Sequence, residues 1–165
     1  MWNAFVLAFA ACAAISDAAW RKIPRSLMVL GAIAGLAFHM ICGGFWSALL
    51  AAAAGFLAGL LLFAMGAIGG GDVKLIAAVG ALLGWTQWLA AMEIAVFAAG
   101  AMALIQAYRR GLLGELLANI RRLLYWRTRH GIEPHPSIRT GAAGALQAPF
   151  GVAVAVGVLF AVVRL

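Results

Sequence analysis

Acidic side chains are scarce in this chain. Only five of 165 residues are Asp or Glu, and with 12 Lys and Arg the charged fraction reaches just 10%. The hydrophobic fraction is 66%. A soluble domain of this length has nowhere to bury so much apolar surface, so the composition reads as a membrane protein. Cysteine is nearly absent as well. Cys12 and Cys42 both lie in apolar stretches and form no CxxC pair, which excludes a zinc or redox motif and leaves two small buried hydrophobes as the expectation. The formal charge of +7 raises the question of nucleic acid. That partner is excluded because the basic residues fall in short clusters between long apolar runs, the pattern of bilayer topology. The N-terminal stretch around Ala8–Ser16 has the small residues of a signal peptide, and Phe9-Ala10-Ala11-Cys12 has the outline of a lipoprotein site. Neither has the basic n-region such signals need, since the chain opens Met1-Trp2-Asn3. Residues 2–19 are therefore expected to be a retained membrane helix.

A bilayer core needs about 20 apolar residues per helix. Six stretches are candidates: 2–19, 26–43, 46–68, 73–84, 87–107 and 147–163. A Gly69-Gly70-Gly71 break separates the third from the fourth. The fourth is short, since about 12 residues at 1.5 Å rise fall well below a core of about 30 Å. With the N-terminus outside, the cytoplasmic segments 20–25, 69–74 and 108–146 hold Arg21, Lys22, Arg25, Lys74, Arg109, Arg110, Arg121, Arg122, Arg127, Arg129 and Arg139, whereas only Arg164 falls outside. That asymmetry predicts an all-α, polytopic protein of about six transmembrane helices with both ends outside. In the cytoplasmic connection 108–146, Leu112, Leu113, Leu116, Leu117, Ile120, Leu123 and Leu124 share one helical face. They predict an interfacial amphipathic helix with Tyr125 and Trp126 at headgroup depth, followed by a loop through Pro134 and Pro136. No internal repeat or second domain is visible, so residues 1–165 read as one integral-membrane domain.

Chemistry has few places to sit. Glu115 and Glu133 lie in the connection and are expected to be solvated. Asp17 ends the first span and Asp72 follows the glycines after the third. Both spans run from outside to inside, so both aspartates arrive at the cytoplasmic face. An ionisable residue at such a place is a functional candidate by default. Two close carboxylates suit peptide hydrolysis, because the pair shares one proton. The ionised member activates water while the protonated member polarises the carbonyl. The three glycines are expected to allow positive φ and close approach of a substrate strand. Lys74 is expected to snorkel to the interface or to tune Asp72. Glu93 in span five is expected to face the bundle interior and pair with a polar group. His39 reads as structural. His130 and His135 read as loop residues without partner cysteines, so neither a metal nor a cofactor is predicted. The competing reading is a small transporter that uses Asp17, Asp72 and Glu93 as a proton or cation relay. Such relays usually sit near the midplane, not at one face.

Three segments carry a resemblance. Gly69-Gly70-Gly71-Asp72-Val73-Lys74-Leu75 resembles the GxGD segment of type IV prepilin peptidases. Asp17-Ala18-Ala19-Trp20-Arg21-Lys22-Ile23-Pro24 resembles that family's first catalytic segment. Ala148-Pro149-Phe150-Gly151 resembles the start of its last helix. The resemblance implies that Asp17 and Asp72 are the catalytic pair of an aspartic endopeptidase. Gly69, Gly70, Gly71, Lys74, Ile23 and Pro24 would then shape the loops and the substrate approach. It further implies a multi-pass protein of the bacterial inner membrane, acting on a prepilin or pseudopilin precursor. The basic leader would be cut after a Gly at the cytoplasmic border, with the precursor's hydrophobic stalk in the bilayer beside the enzyme. Arg25 stands where the family commonly carries Asn. The extra cytoplasmic region with paired cysteines found in two-function members is missing. The resemblance is thus to the short, peptidase-only form of tight-adherence pilus systems, without methyl transfer.

Overall fold

A computed structural model describes residues 1–131, 133 and 149–164. Among the described residues seven α-helices follow in order: α1 Trp2–Trp20, α2 Arg25–Ile41, α3 Phe45–Ala64, α4 Gly70–Leu83, α5 Trp85–Arg109, α6 Leu113–His130 and α7 Phe150–Arg164. No strand occurs among the described residues. Three helices, α1, α3 and α5, are long and apolar enough to cross a membrane, and α2 and α7 are shorter apolar helices. The expected loop through Pro134 and Pro136, with His135 and Arg139, lies outside the described residues, as do positions 147 and 148 of the sixth predicted span.

The helix ends follow local rules. Arg21 closes α1 in the left-handed region (φ 50°, ψ 30°), donating its N–H to the Asp17 carbonyl. Pro24 then sits at the N-cap of α2, where its fixed φ and missing N–H suit a helix start. Gly84 turns α4 into α5 at φ 72°, where a side chain would be strained. The turn is tied down by the Trp85 N–H donating to Ser47 Oγ at 2.9 Å and by His39 Nε2 donating to the Leu82 carbonyl at 3.2 Å. His39 is thus a structural donor, as its place in the sequence suggested.

The short helix is the centre of the molecule. Nine of the fourteen residues of α4 are buried, and Leu75 and Leu82 are fully so. At 1.5 Å per residue α4 is about 21 Å long. It packs chiefly on α3 and α2, whereas α7 packs between α1 and α5. Lipid is as apolar as Leu, so helices in a membrane associate through close backbone approach at small residues. The glycines supply that approach. A Cβ on Gly80 would lie 2.6 Å from the Ala51 carbonyl carbon and oxygen, and one on Gly35 would lie 2.5 Å from those of Ala81. Gly157 of α7 meets the Ala91 carbonyl of α5 in the same way, and Gly31 lies against the Phe9 ring. The outer surface carries large apolar side chains, among them Val29, Ile33, Leu57, Phe97 and Val163. Water would not tolerate so continuous an apolar exterior, but a bilayer would.

Three sequence expectations change. Cys12 and Cys42 are exposed, not buried; both lie on helix or turn surfaces that look outward, where a small apolar group meets lipid at no cost. Glu93 does not face the bundle interior but is exposed on α5. The buried face of that helix is set by Trp88, Ala91 and Ala95, and residue 93 lies off that face. His130 is the last residue of α6 rather than part of a loop. Its ring stacks on Trp126 four positions earlier at 3.7 Å, a spacing that suits one helical face. The predicted amphipathic stripe is present on α6, with Leu113, Leu117, Ile120 and Leu124 exposed along it.

Candidate active site

Asp17 occupies the last turn of α1 and Asp72 the first turn of α4. Both are partly buried, and they are near enough for the Asp17 charge to act on Asp72. The chain contains no other aspartate.

Each carboxylate is held by the start of a helix. Asp72 is the third residue of α4, and its Oδ2 accepts the N–H of Gly69, the N-cap residue, at 3.0 Å. This is one half of a capping box: an acid at N3 reaches back to satisfy an N–H that the helix itself cannot. Glycine has no side chain to return the bond, so the carboxylate carries the cap alone. Asp17 is held from further away. Its Oδ2 accepts the N–H of Gly151, in the first turn of α7, at 2.6 Å. The end of α1 and the start of α7 are thereby joined, whereas the Asp72 bond is internal to the start of α4. N–H groups at helix starts carry partial positive charge, which suits anionic partners.

The predicted loop-shaping residues fall as follows. Gly69 has φ −83° and ψ 157°, and neither Gly70 nor Gly71 takes a positive φ. The expectation of left-handed backbone there is overturned, since Gly70 and Gly71 are the first helical residues of α4 and α-helical φ is negative. The positive φ that the break requires is at Gly66 instead (73°). Open space does surround Gly71, where a Cβ would meet nothing within 4 Å. Ile23 packs against the core beside the α1–α2 turn, and Pro24 starts α2. Lys74 is exposed. Among the described residues no three His, Cys, Asp or Glu side chains gather as a metal site.

Gly151 was not singled out as a site residue by sequence. Its only signal was the Pro149-Phe150-Gly151 start of the last helix, and nothing in that triplet says which side chain its amide meets. The arrangement offers two carboxyl groups within range of each other's charge, each anchored through one oxygen, and an open glycine beside Asp72. Carboxyl groups are among the side chains that can give and take protons.

No curated protein and no solved structure matches the chain. The family model described as the type IV leader peptidase family matches residues 4–104, well over half of the chain and including both aspartates. The chain therefore belongs to the type IV leader peptidase family and is a peptidase of membrane type.

Proposed function

We propose that this protein is an aspartic endopeptidase of the bacterial inner membrane that uses Asp17 and Asp72 to remove the basic leader from a prepilin or pseudopilin precursor, cutting after a Gly at the cytoplasmic face. The observation that carries the reading is that the only two aspartates stand at the end of α1 and the start of α4, within range of each other's charge, each with one carboxylate oxygen held by a backbone N–H at a helix start. The chain acts as one integral-membrane unit with α1, α2, α3, α4, α5 and α7 as its six spans. Of these, α4 is an inner helix wrapped by its neighbours. The clusters at Arg21-Lys22 and on α6 favour the cytoplasm for the side that holds the aspartates.

In the reaction, the dyad holds one proton between two carboxyl groups. A water molecule between them loses a proton to the ionised carboxylate as it attacks the scissile carbonyl. The protonated partner donates to the carbonyl oxygen, and the tetrahedral intermediate collapses as a proton passes to the leaving amine. The open space at Gly71 gives a substrate backbone room to reach Asp72.

Co-expression with a candidate precursor tests the reading. Asp17→Asn and Asp72→Asn are each expected to lower cleavage by at least about 10³-fold, the scale of losing a general acid or base, while leaving membrane insertion intact. Intact-mass measurement of the precursor reads the result. Wild-type levels of processing by either variant would remove the dyad from the mechanism.

A further inference from the structure

Gly151 lies beyond the residues that match the family, yet its amide reaches Asp17. We propose that Gly151 is a positioning residue for the reaction: the start of α7 fixes the Asp17 carboxylate through a backbone N–H and admits no side chain at that point. The inference rests on the reading of Asp17 as catalytic.

Four observations carry it. The Gly151 N–H lies 2.6 Å from Asp17 Oδ2, joining residues 134 positions apart. Gly151 is the second residue of α7, so its N–H is one of the first four that the helix leaves without an internal partner. The approach is too close for a substituent, because a Cβ on Gly151 would stand 2.9 Å from Asp17 Cβ, 3.0 Å from Asp17 Oδ2 and 3.3 Å from the Ala13 carbonyl oxygen. The donor is also firmly mounted. Pro149 precedes the first turn and accepts the Val152 N–H at 3.2 Å, Val154 and Val158 are buried, and Gly157 abuts the α5 backbone at Ala91.

The consequence is rotational. A carboxylate at the end of α1 can turn about χ1 and χ2, and the bond to Oδ2 selects one setting. Oδ1 is then the oxygen left for the chemistry. The helices matched by the family model supply the two acids, and α7 sets the aim of one of them.

The test compares Gly151 with Gly43, in the turn between α2 and α3, in the full-length protein, purified in detergent with lipid, by precursor cleavage and thermal unfolding. Gly151→Ala is expected to lower kcat about 100-fold, the scale of a misplacement near 1 Å, with KM within about twofold of wild type. Gly43→Ala, which strains the left-handed backbone of the α2–α3 turn (φ 82°) but meets nothing within 4 Å and so moves no helix, is expected to lower the unfolding midpoint while the folded fraction keeps its kcat. If Gly151→Ala fails to accumulate, glycolic acid at position 151 puts the same question, because the ester deletes the N–H and adds no atom in its way. A fall in kcat of about tenfold or more is then expected from losing a bond to a charged group. Unchanged kcat in Gly151→Ala or in the ester, or an equal loss of kcat in Gly43→Ala, overturns the proposal. Asp17→Asn runs alongside: if it still cleaves, the catalytic reading itself has failed, whereas an inactive Asp17→Asn beside an active Gly151→Ala sinks only the positioning role.

Discussion

Replacing Gly80 by alanine puts a methyl group where α3 and α4 have no room for one. Built on the present backbone, that carbon stands 2.6 Å from the carbonyl carbon and oxygen of Ala51 and 2.8 Å from the nitrogen of Ala52. Comfortable contact between carbon atoms begins at about 3.5 Å, so the helices must part by roughly 1 Å. The obstructing atoms are backbone and cannot rotate aside. Nor is α4 free to retreat, since its next residue, Ala81, lies against α2 at Gly35. Overpacking of this kind costs about 1–3 kcal/mol. The displacement also reaches the candidate site. Asp72 lies eight residues before Gly80 on the same helix, about 12 Å away along the axis, and a helix of fourteen residues moves nearly as a rod. A shift near 1 Å in a reacting group costs about 100-fold in rate. Gly80→Ala is therefore expected to lower both the unfolding midpoint and the kcat for precursor cleavage, measured on one detergent preparation. Wild-type values of both would refute the view that α4 is held by backbone contact and that its position sets the carboxylate.

Two further outcomes bear on the rest of the chain. Glu93→Gln is expected to leave the cleavage rate within about twofold, because residue 93 is exposed on α5 and a loss of about 1.4 kcal/mol would be needed for a tenfold fall; a collapse in cleavage would revive a relay that includes all three acids. Changing Arg121 and Arg122 to Gln should weaken the hold of α6 on anionic bilayers by about 2 kcal/mol, at about 1 kcal/mol per basic residue near the surface. A spin label at position 117, on the exposed apolar stripe, should then sit shallower in vesicles containing phosphatidylserine, and an unchanged depth would refute an interfacial α6.

Helices and acids were legible in the sequence for the same reason: each is a departure from a uniform background. Apolar runs mark α1, α3 and α5 because a membrane demands length and hydropathy. Asp17 and Asp72 stand out because a chain with five acidic residues cannot hide two of them at the ends of apolar runs. Rotation of a helix about its axis is a different matter. Glu93 was placed inside on grounds of cost, but the face of α5 that turns inward is decided by Trp88, Ala91 and Ala95. The twenty glycines pose a similar problem. Gly69, Gly70 and Gly71 draw attention as a run, yet their backbone is ordinary, whereas Gly66 and Gly84 take the left-handed turns and Gly35, Gly80 and Gly157 take the close contacts. Local composition does not distinguish these roles, because each depends on a neighbour far away in the chain. Gly151 is the extreme case, with its partner 134 residues off.

The shortness of α4 and the placement of Asp72 have one cause. A helix of about 21 Å cannot join both surfaces of a core of about 30 Å. Such a helix is tolerable in a bilayer only where protein surrounds it, since bare helix ends in hydrocarbon leave backbone groups unpaired. The burial of α4 beyond Lys74 meets that condition, and at its more exposed start the Asp72 carboxylate takes the Gly69 N–H. The same side chain thus closes the helix and is the proposed partner of Asp17. This double duty governs how the dyad is to be dissected. An Asn at position 72 keeps an oxygen for the Gly69 N–H and removes the acid, so its loss of cleavage reports chemistry. An Ala removes both, and forfeits about 1 kcal/mol of capping as well. If cleavage by the Asn variant were as strong as wild type, the cap would be the only role left for Asp72.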